Sequence, residues 1–175
     1  MHAYRKDTID LDEKTLLPVK SSAQGMGTMS LTYATDAISG EMGSGGQTMN
    51  VKTALKAPVA PDGAGLEVAI ATLPLAEGYT ATLRFFEPLS QKVRLMNLKV
   101  TGKETTTVAA GSFETFVVQL EPLDGEASGQ STLHLLQKSP HHVVRSQTKL
   151  PAMMGGGSMT IELAVEGAGD VGSRP

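Results

Sequence analysis

The chain has 175 residues, of which 40% are hydrophobic, 4% are aromatic and none is cysteine. Its net charge of −3, with no run of five like charges, argues against the concentrated basic face that nucleic acids and anionic membranes require, so we expect no nucleic-acid partner. The absence of cysteine excludes disulfides, thiolate catalysis and cysteine-ligated metal centres. No apolar stretch approaches the roughly 20 residues of a membrane-spanning helix.

Alternation of apolar and polar side chains predicts a series of short β-strands. Between Gly27 and Tyr33, the side chains of Met29, Leu31 and Tyr33 fall on one face, and threonine and serine fall on the other. The segments with this pattern are Thr8–Leu11, Gly27–Tyr33, Thr48–Leu55, Tyr79–Phe85, Gln91–Leu95, Phe116–Leu120, Thr132–Leu136, Val143–Thr148 and Ser158–Val165. Turn residues such as Thr101–Gly102 separate them, so we expect an antiparallel meander.

Two segments depart from simple alternation. The phase of the apolar positions changes within Val93–Val100, which predicts a β-bulge near Met96 or Asn97. Ala64–Leu73 carries apolar residues at positions i, i+4 and i+7, which predicts a short helix.

The two ends of the chain differ from its middle. Gly167–Pro175 is rich in glycine and is expected to be a flexible tail, which leaves residues 1–166 as a single β-rich domain. Met1–Asp12 is polar and charged and has no apolar signal-peptide core, so we expect either a cytosolic protein or one whose signal is missing from this chain.

The order of several short motifs resembles a known family. Val100–Glu104 precedes the Ala-Gly-Ser-Phe motif Ala110–Phe113, and a late acidic and apolar strand covers Met159–Leu163. This order is similar to that of bacterial exported β-rich domains grouped as domain of unknown function 3108, from roughly Leu11 to Leu163. The resemblance implies a curved, incompletely closed β-barrel like that of lipoprotein carriers, a periplasmic or other envelope location, and earlier strands before this chain begins. It implies no catalytic residues.

Few residues suggest catalysis or metal binding. Ser112 lies in the tight connection Ala110–Phe113, where Gly111 is expected to take a positive φ and Phe113 to anchor in the core, and it lacks a G-x-S-x-G elbow. We therefore predict no catalytic residue and no cofactor.

The histidines are too few, and their expected orientations too different, to predict a metal site. His141 and His142 are adjacent, so on a strand they would point to opposite faces, and His134 adds only one further ligand. We interpret His141 and His142 as solvated turn residues and predict no metal site.

Two other groups of residues have structural interpretations. Gly43–Gly46 and Gly155–Ser158 are predicted to be hairpin loops, because no P-loop lysine follows either. Asp10, Asp12 and Glu13 are interpreted as a solvated strand edge that opposes aggregation.

The predicted protein is a non-enzymatic all-β domain, either a strongly curved antiparallel sheet or an incompletely closed β-barrel, with one short helix. Its concave side, rich in aliphatic residues and methionine, is predicted to bind a hydrophobic ligand or lipid-like group. The predicted lining residues, chosen by alternation alone, are Met29, Leu31, Tyr33, Leu83, Phe85, Val93, Leu95, Phe116, Val118, Leu133 and Leu135. The alternative hypotheses are a structural subunit that self-associates through edge strands, and a hydrolase that uses Ser112 or Ser139 with a histidine.

Overall fold

The computed structural model describes residues 6–25, 27–61, 63–88, 90–125, 129–150, 152 and 156–165. These residues form eleven β-strands and one α-helix. The strands are β1 (Lys6–Leu11), β2 (Pro18–Gln24), β3 (Gly27–Tyr33), β4 (Ala37–Ser44), β5 (Gln47–Ala54), β6 (Thr80–Glu87), β7 (Lys92–Val108), β8 (Gly111–Pro122), β9 (Ser131–Leu136), β10 (Val143–Lys149) and β11 (Ser158–Glu162). Helix α1 (Gly63–Ala71) lies between β5 and β6, close to the predicted Ala64–Leu73.

The strands form two antiparallel sheets. The first has the order β1-β2-β3-β4-β5, and the second has the order β11-β10-β9-β8-β7-β6. Within each sheet, every strand pairs with its neighbours in sequence, as expected for a meander, whereas β5 and β6 belong to different sheets. Across the part of the chain that the structure describes, neither sheet closes into a barrel. The prediction of an all-β, antiparallel fold with one short helix is confirmed.

The hairpin between β4 and β5 shows how local sequence sets the register. Ser44 pairs with Gln47, and the two residues between them, Gly45 and Gly46, have φ values of 58° and 80°. Two consecutive positive φ values are the requirement of a two-residue hairpin turn whose twist matches the strands, and glycine adopts them without strain. The predicted hairpin at Gly43–Gly46 is therefore confirmed.

Contacts divide the described residues into two compact units. Unit 1 comprises those of 1–69 and 83–95, and unit 2 comprises those of 70–82 and 96–175. The prediction of a single domain over 1–166 stays a prediction, and the predicted tail Gly167–Pro175 lies outside the described residues.

Unit 1 contains the whole five-stranded sheet and its own apolar core. Phe86, which β6 contributes, is only 2% exposed and is the largest of its fully buried side chains. The buried cluster consists of Leu31, Ile38, Val51, Leu55, Val59 and Phe86. Burying an aromatic or aliphatic side chain of this size stabilises a fold by roughly 1.5–3 kcal/mol, so this cluster is a main source of unit 1's stability.

Unit 2 contains β7 from Met96 onward together with β8, β9, β10 and β11. Its buried strand residues include Met96, Leu98, Val100, Phe116, Val118, Leu120, Leu133, Leu135 and Val144. Phe116 pairs with Leu135 and Val118 pairs with Leu133 across β8 and β9, so these side chains lie directly opposite one another.

Two local predictions for β7 are wrong. The turn expected at Thr101–Gly102 is absent, because β7 runs without interruption from Lys92 to Val108. Pairing between β7 and β8 is continuous from Met96 to Val100, and the register shifts between Val100 and Gly102. In this pairing the irregularity therefore lies at Thr101 and not at the expected Met96 or Asn97.

The Ala110–Phe113 motif spans the end of the tight connection from β7 to β8 and the first residues of β8. Gly111 has a φ of 132°, which confirms the expected positive value. The Ser112 hydroxyl lies 2.9 Å from the Thr107 hydroxyl, and Phe113 is half-buried. The core anchor in this strand is Phe116, which is 7% exposed, and not the expected Phe113.

Candidate functional site

A pocket of about 250 Å³ opens in unit 1. Its walls come from three stretches of chain: the connection between β1 and β2, the end of β3 with the turn that follows, and the segment after β5. The lining residues are Asp12, Thr15, Leu17, Pro18, Tyr33, Ala34, Thr35, Leu55, Pro58 and Val59. Pockets for drug-sized ligands have volumes of roughly 300–1,000 Å³, so this pocket suits a smaller molecule or one end of a chain.

The floor of the pocket is part of the unit 1 core. Leu55 and Val59 belong to the buried cluster, and Tyr33 packs against that cluster. The Tyr33 hydroxyl lies 3.3 Å from the hydroxyl of the buried Ser21. The ring of Tyr33 therefore presents an apolar face within unit 1 while its polar end has a hydrogen-bond partner.

Backbone hydrogen bonds hold the segments that surround the pocket. The amide of Ala34 donates to the carbonyl of Ala37 at 2.8 Å, and the amide of Leu55 donates to the carbonyl of Asp36 at 2.7 Å. The first bond closes the turn between β3 and β4, and the second connects this turn to the residue that follows β5. The pocket is therefore framed by ordered backbone, as in most small-molecule sites.

Asp12 is the charged side chain among the lining residues. Its Oδ1 accepts hydrogen bonds from the Lys14 amide at 3.1 Å, the Thr15 amide at 2.8 Å and the Thr15 hydroxyl at 2.8 Å. Hydrogen bonds from the Thr15 hydroxyl, the Thr15 amide and the Lys14 amide lower the pKa of the Asp12 carboxyl, because they favour its charged form. Asp12 is thus a fixed anion at the exposed side of an otherwise uncharged lining.

The predicted lining residues in unit 1 occupy different environments. Leu31 is fully buried, and Met29, Tyr33 and Val93 are partly buried against the same cluster. Leu83 and Phe85 are half-buried, whereas Leu95 is 40% exposed. Tyr33 is the residue of this group that lines the pocket.

The predicted lining residues in unit 2 are all buried. Phe116 and Leu133 are 7% and 4% exposed, and Val118 and Leu135 are 0% exposed. Their direct cross-strand pairing makes them a packed cluster on one face of β8 and β9.

A polar network crosses unit 2 around His134. The imidazole Nδ1 lies 3.1 Å from Glu104 Oε1 and 3.1 Å from Thr106 Oγ1. Thr106 Oγ1 lies 2.8 Å from Thr115 Oγ1, and the Thr115 hydroxyl donates to the Glu104 carbonyl at 3.0 Å. On the next strand, Arg145 pairs with His134 in the sheet.

The partners of His134 determine which ring nitrogen carries the proton. An ionised Glu104 can only accept, so Nδ1 must donate, and Thr106 then uses its own proton to reach Thr115. Burial lowers the pKa of His134, an effect that the Arg145 charge adds to and the Glu104 charge opposes. Because Nδ1 carries a proton, it cannot act as a base towards the Thr106 hydroxyl, and Thr106 is only 1% exposed. The contact between His134 and Thr106 is therefore a structural hydrogen bond and not an accessible nucleophile with its base.

His141 differs from the solvated turn residue that we expected. It is 8% exposed, its Nδ1 lies 2.8 Å from the Leu136 carbonyl, and its ring packs edge-on to Phe116 with centroids 5.7 Å apart. His142 is exposed, in agreement with the expectation. Among the residues that the structure describes, no group of three histidine, cysteine, aspartate or glutamate side chains could hold a metal ion.

Sequence reasoning missed most of the pocket. Leu17, Pro18, Pro58 and Val59 lie in or beside connections, where no two-residue alternation marks the buried positions. The available signal was the pair of prolines, which pack in loops and at strand ends, but it does not specify a cavity. Asp12, for which the sequence indicates only a solvated strand edge, is exposed and also lines the pocket.

The described residues contain no helix that is both long and apolar enough to cross a membrane. No match was found among curated proteins or among solved structures. A family model described as "Protein of unknown function (DUF3108)" matches residues 1–163 of the chain. The chain therefore belongs to the DUF3108 family, as the order of its motifs predicted.

Proposed function

We propose that this chain is a non-catalytic binding domain of the bacterial cell envelope that takes a hydrophobic ligand or lipid-like group. The observation that carries the proposal is the pocket in unit 1, whose floor is formed by Leu55, Val59 and Tyr33. The envelope location rests on the exported character that the family resemblance implies.

The lining favours a small apolar group. The pocket combines aliphatic and proline side chains, which can bury a short chain, with the Asp12 carboxylate and the hydroxyls of Thr15, Tyr33 and Thr35, which can orient its polar end. Each methylene buried contributes about 0.8 kcal/mol, or roughly a fourfold gain in affinity. A pocket of about 250 Å³ therefore binds short chains weakly, and affinity increases with chain length until the space is filled.

Methyl NMR with a series of linear alcohols tests the proposal. Titration of butan-1-ol, pentan-1-ol and hexan-1-ol should shift the methyl signals of Leu17, Leu55 and Val59, with roughly fourfold tighter binding per added methylene. Ala34→Leu places a larger side chain at the lining and should abolish the saturable shifts. Ala76→Leu, at an exposed alanine outside the lining, is the matched control and should leave them unchanged. Shifts that are absent, or identical in both variants, would contradict the proposal.

A second candidate function is self-association through β11. This strand is at the edge of the second sheet and is exposed along its length. Four apolar side chains alternate on and just after it: Met159, Ile161, Leu163 and Val165, which are 47%, 54%, 42% and 57% exposed. The edge strand β1, by contrast, carries Lys6, Asp7 and Asp10, which discourage pairing with another chain.

Sedimentation velocity over a range of concentrations tests this second function. Wild-type protein should associate as its concentration increases, because an edge strand with an exposed apolar face pairs readily with the same edge of another copy, and its one charged residue, Glu162, is already paired with Arg145. Ile161→Lys should keep the protein monomeric, whereas Val68→Lys, at a helix residue that is 50% exposed, should not. A wild-type protein that is monomeric at every concentration would rule this function out.

A further inference from the structure

We infer that the pocket in unit 1 selects ligands whose polar end is a cation, such as a primary ammonium, over ligands of equal length that end in a carboxylate or phosphate. This inference rests on the proposed function and specifies its ligand class. It follows from the charge and hydrogen bonding of the lining, beginning with Asp12.

Asp12 makes the charge of the pocket lining negative. It is the charged member of the ten lining residues, and the others are apolar or carry hydroxyl groups. The charged neighbours in sequence of the lining residues are Glu13, Lys14, Asp36 and Lys56, whose charges cancel. Within the lining the one formal charge is therefore that of the Asp12 carboxylate, which attracts a cation and repels an anion.

The loop that contains Asp12 also leaves the carboxylate able to bind. All three hydrogen bonds that orient it reach Oδ1, two from backbone amides and one from the Thr15 hydroxyl. Among the described residues these bonds leave Oδ2 as a free acceptor. A ligand ammonium at Oδ2 would form a charge-assisted hydrogen bond without breaking any bond of the loop.

The two halves of the pocket therefore fit a molecule with two distinct ends. The floor at Leu55 and Val59 is buried and apolar, whereas Asp12 and Thr15 are exposed. An alkyl chain on the floor would place a terminal amine towards the carboxylate side. A fatty acid in the same position would bring its own carboxylate towards Asp12, which is unfavourable.

Three probes of equal chain length measure the preference: hexan-1-amine, hexan-1-ol and hexanoate. At neutral pH and low ionic strength, methyl NMR titration should give an amine affinity about two- to fivefold above that of the alcohol, since an exposed ion pair contributes modestly. Hexanoate should bind more weakly than the alcohol by a similar factor. High salt should bring the three affinities together, because it screens exposed charges.

The Asp12→Asn variant tests whether this carboxylate causes the preference for the amine. Asparagine retains an acceptor oxygen for the loop amides, so alcohol binding should persist while the amine loses its advantage. Asp10→Asn removes the same charge from an exposed residue of β1 that does not line the pocket, and should retain the preference. Thermal unfolding of each variant verifies that the fold is intact.

The outcomes separate the inference from the proposed function. If hexan-1-ol binds but the amine and hexanoate bind equally well, or hexanoate binds best, the inference is wrong and the binding function stands. If none of the three probes binds, both are wrong. A preference for the amine that survives Asp12→Asn would also overturn the inference, because another group would then set the selectivity.

Discussion

Replacement of Gly40 by alanine should be among the most damaging single changes in unit 1. Gly40 lies in β4, where it pairs with Leu31 of β3 and Val51 of β5, and its φ is 154°. A Cβ at this position would be 2.0 Å from the Ser30 carbonyl oxygen and 2.9 Å from the Leu31 Cα. Both atoms are backbone, so no side-chain rotation relieves the contact.

The cost has two components. An L-residue held at this φ carries strain of about 1–3 kcal/mol. Moving β3 away from β4 then weakens backbone hydrogen bonds, each worth about 0.5–1.5 kcal/mol, and disturbs Leu31, which is fully buried. We expect a total loss of about 3–5 kcal/mol, which is a large part of the 5–15 kcal/mol that stabilises a typical domain.

Urea unfolding followed by far-UV circular dichroism measures this loss. With a slope of about 2 kcal/mol/M, the midpoint of Gly40→Ala should fall by about 2 M. Gly45→Ala is the matched control, because Gly45 also has a positive φ, 58°, but a Cβ there has no neighbour within 4 Å. The control should lose about 1 kcal/mol. If the two variants differ by less than about 0.5 kcal/mol, which is the usual effect of a neutral surface change, the close approach of β3 and β4 is refuted.

Four further substitutions test burial and hydrogen bonding with the same urea titrations. Because burial lowers the pKa of His134, the unfolded chain binds more protons than the folded chain once the pH falls below about 6.5. Titration of His134 therefore leaves the free energy of unfolding unchanged above that pH and lowers it as the pH falls further. His134→Gln should make this loss of stability at low pH smaller. Phe86→Ala should cost about 3–5 kcal/mol, and Phe85→Ala should cost less because Phe85 is only half-buried. Thr106→Val should cost about 1 kcal/mol, because Thr115 loses a hydrogen-bond partner.

Each of these expectations has a contradicting result. The same decline of stability below pH 6.5 in wild type and His134→Gln would show that another group causes it. Equal losses for Phe85→Ala and Phe86→Ala would contradict the difference in burial. A Thr106→Val variant as stable as wild type would mean that its hydroxyl contributes nothing net to the network.

Local alternation predicted the strands that have one clearly apolar face. Gly27–Tyr33 and Thr132–Leu136 were identified because period-two patterns reflect a property of adjacent residues, namely that successive side chains point to opposite faces. The helix at Gly63–Ala71 was found for the corresponding reason. These predictions needed no knowledge of which segments meet in space.

Alternation gave wrong predictions where two neighbouring residues fit the local pattern equally well and only tertiary packing determines which of them is buried. Phe85 and Phe86 are adjacent, and the pattern selected Phe85, whereas Phe86 enters the unit 1 core. The alternation did not identify β4, because Gly40 interrupts its apolar face at a position where a Cβ would collide with the backbone of β3. Thr101–Gly102 has turn composition but lies inside β7, since its pairing with β8 continues on both sides.

Local sequence patterns were sufficient to predict the fold class and the family, because strand periodicity, glycine turns and motif order depend only on residues that lie close together in the chain. The position of the pocket, in contrast, follows only from the tertiary structure. The pocket joins Asp12, Tyr33 and Val59 from three separate segments, and no local pattern records that they meet. Their proximity follows from the pairing of β1 to β5 and from the shared core beneath them, which are properties of the folded chain.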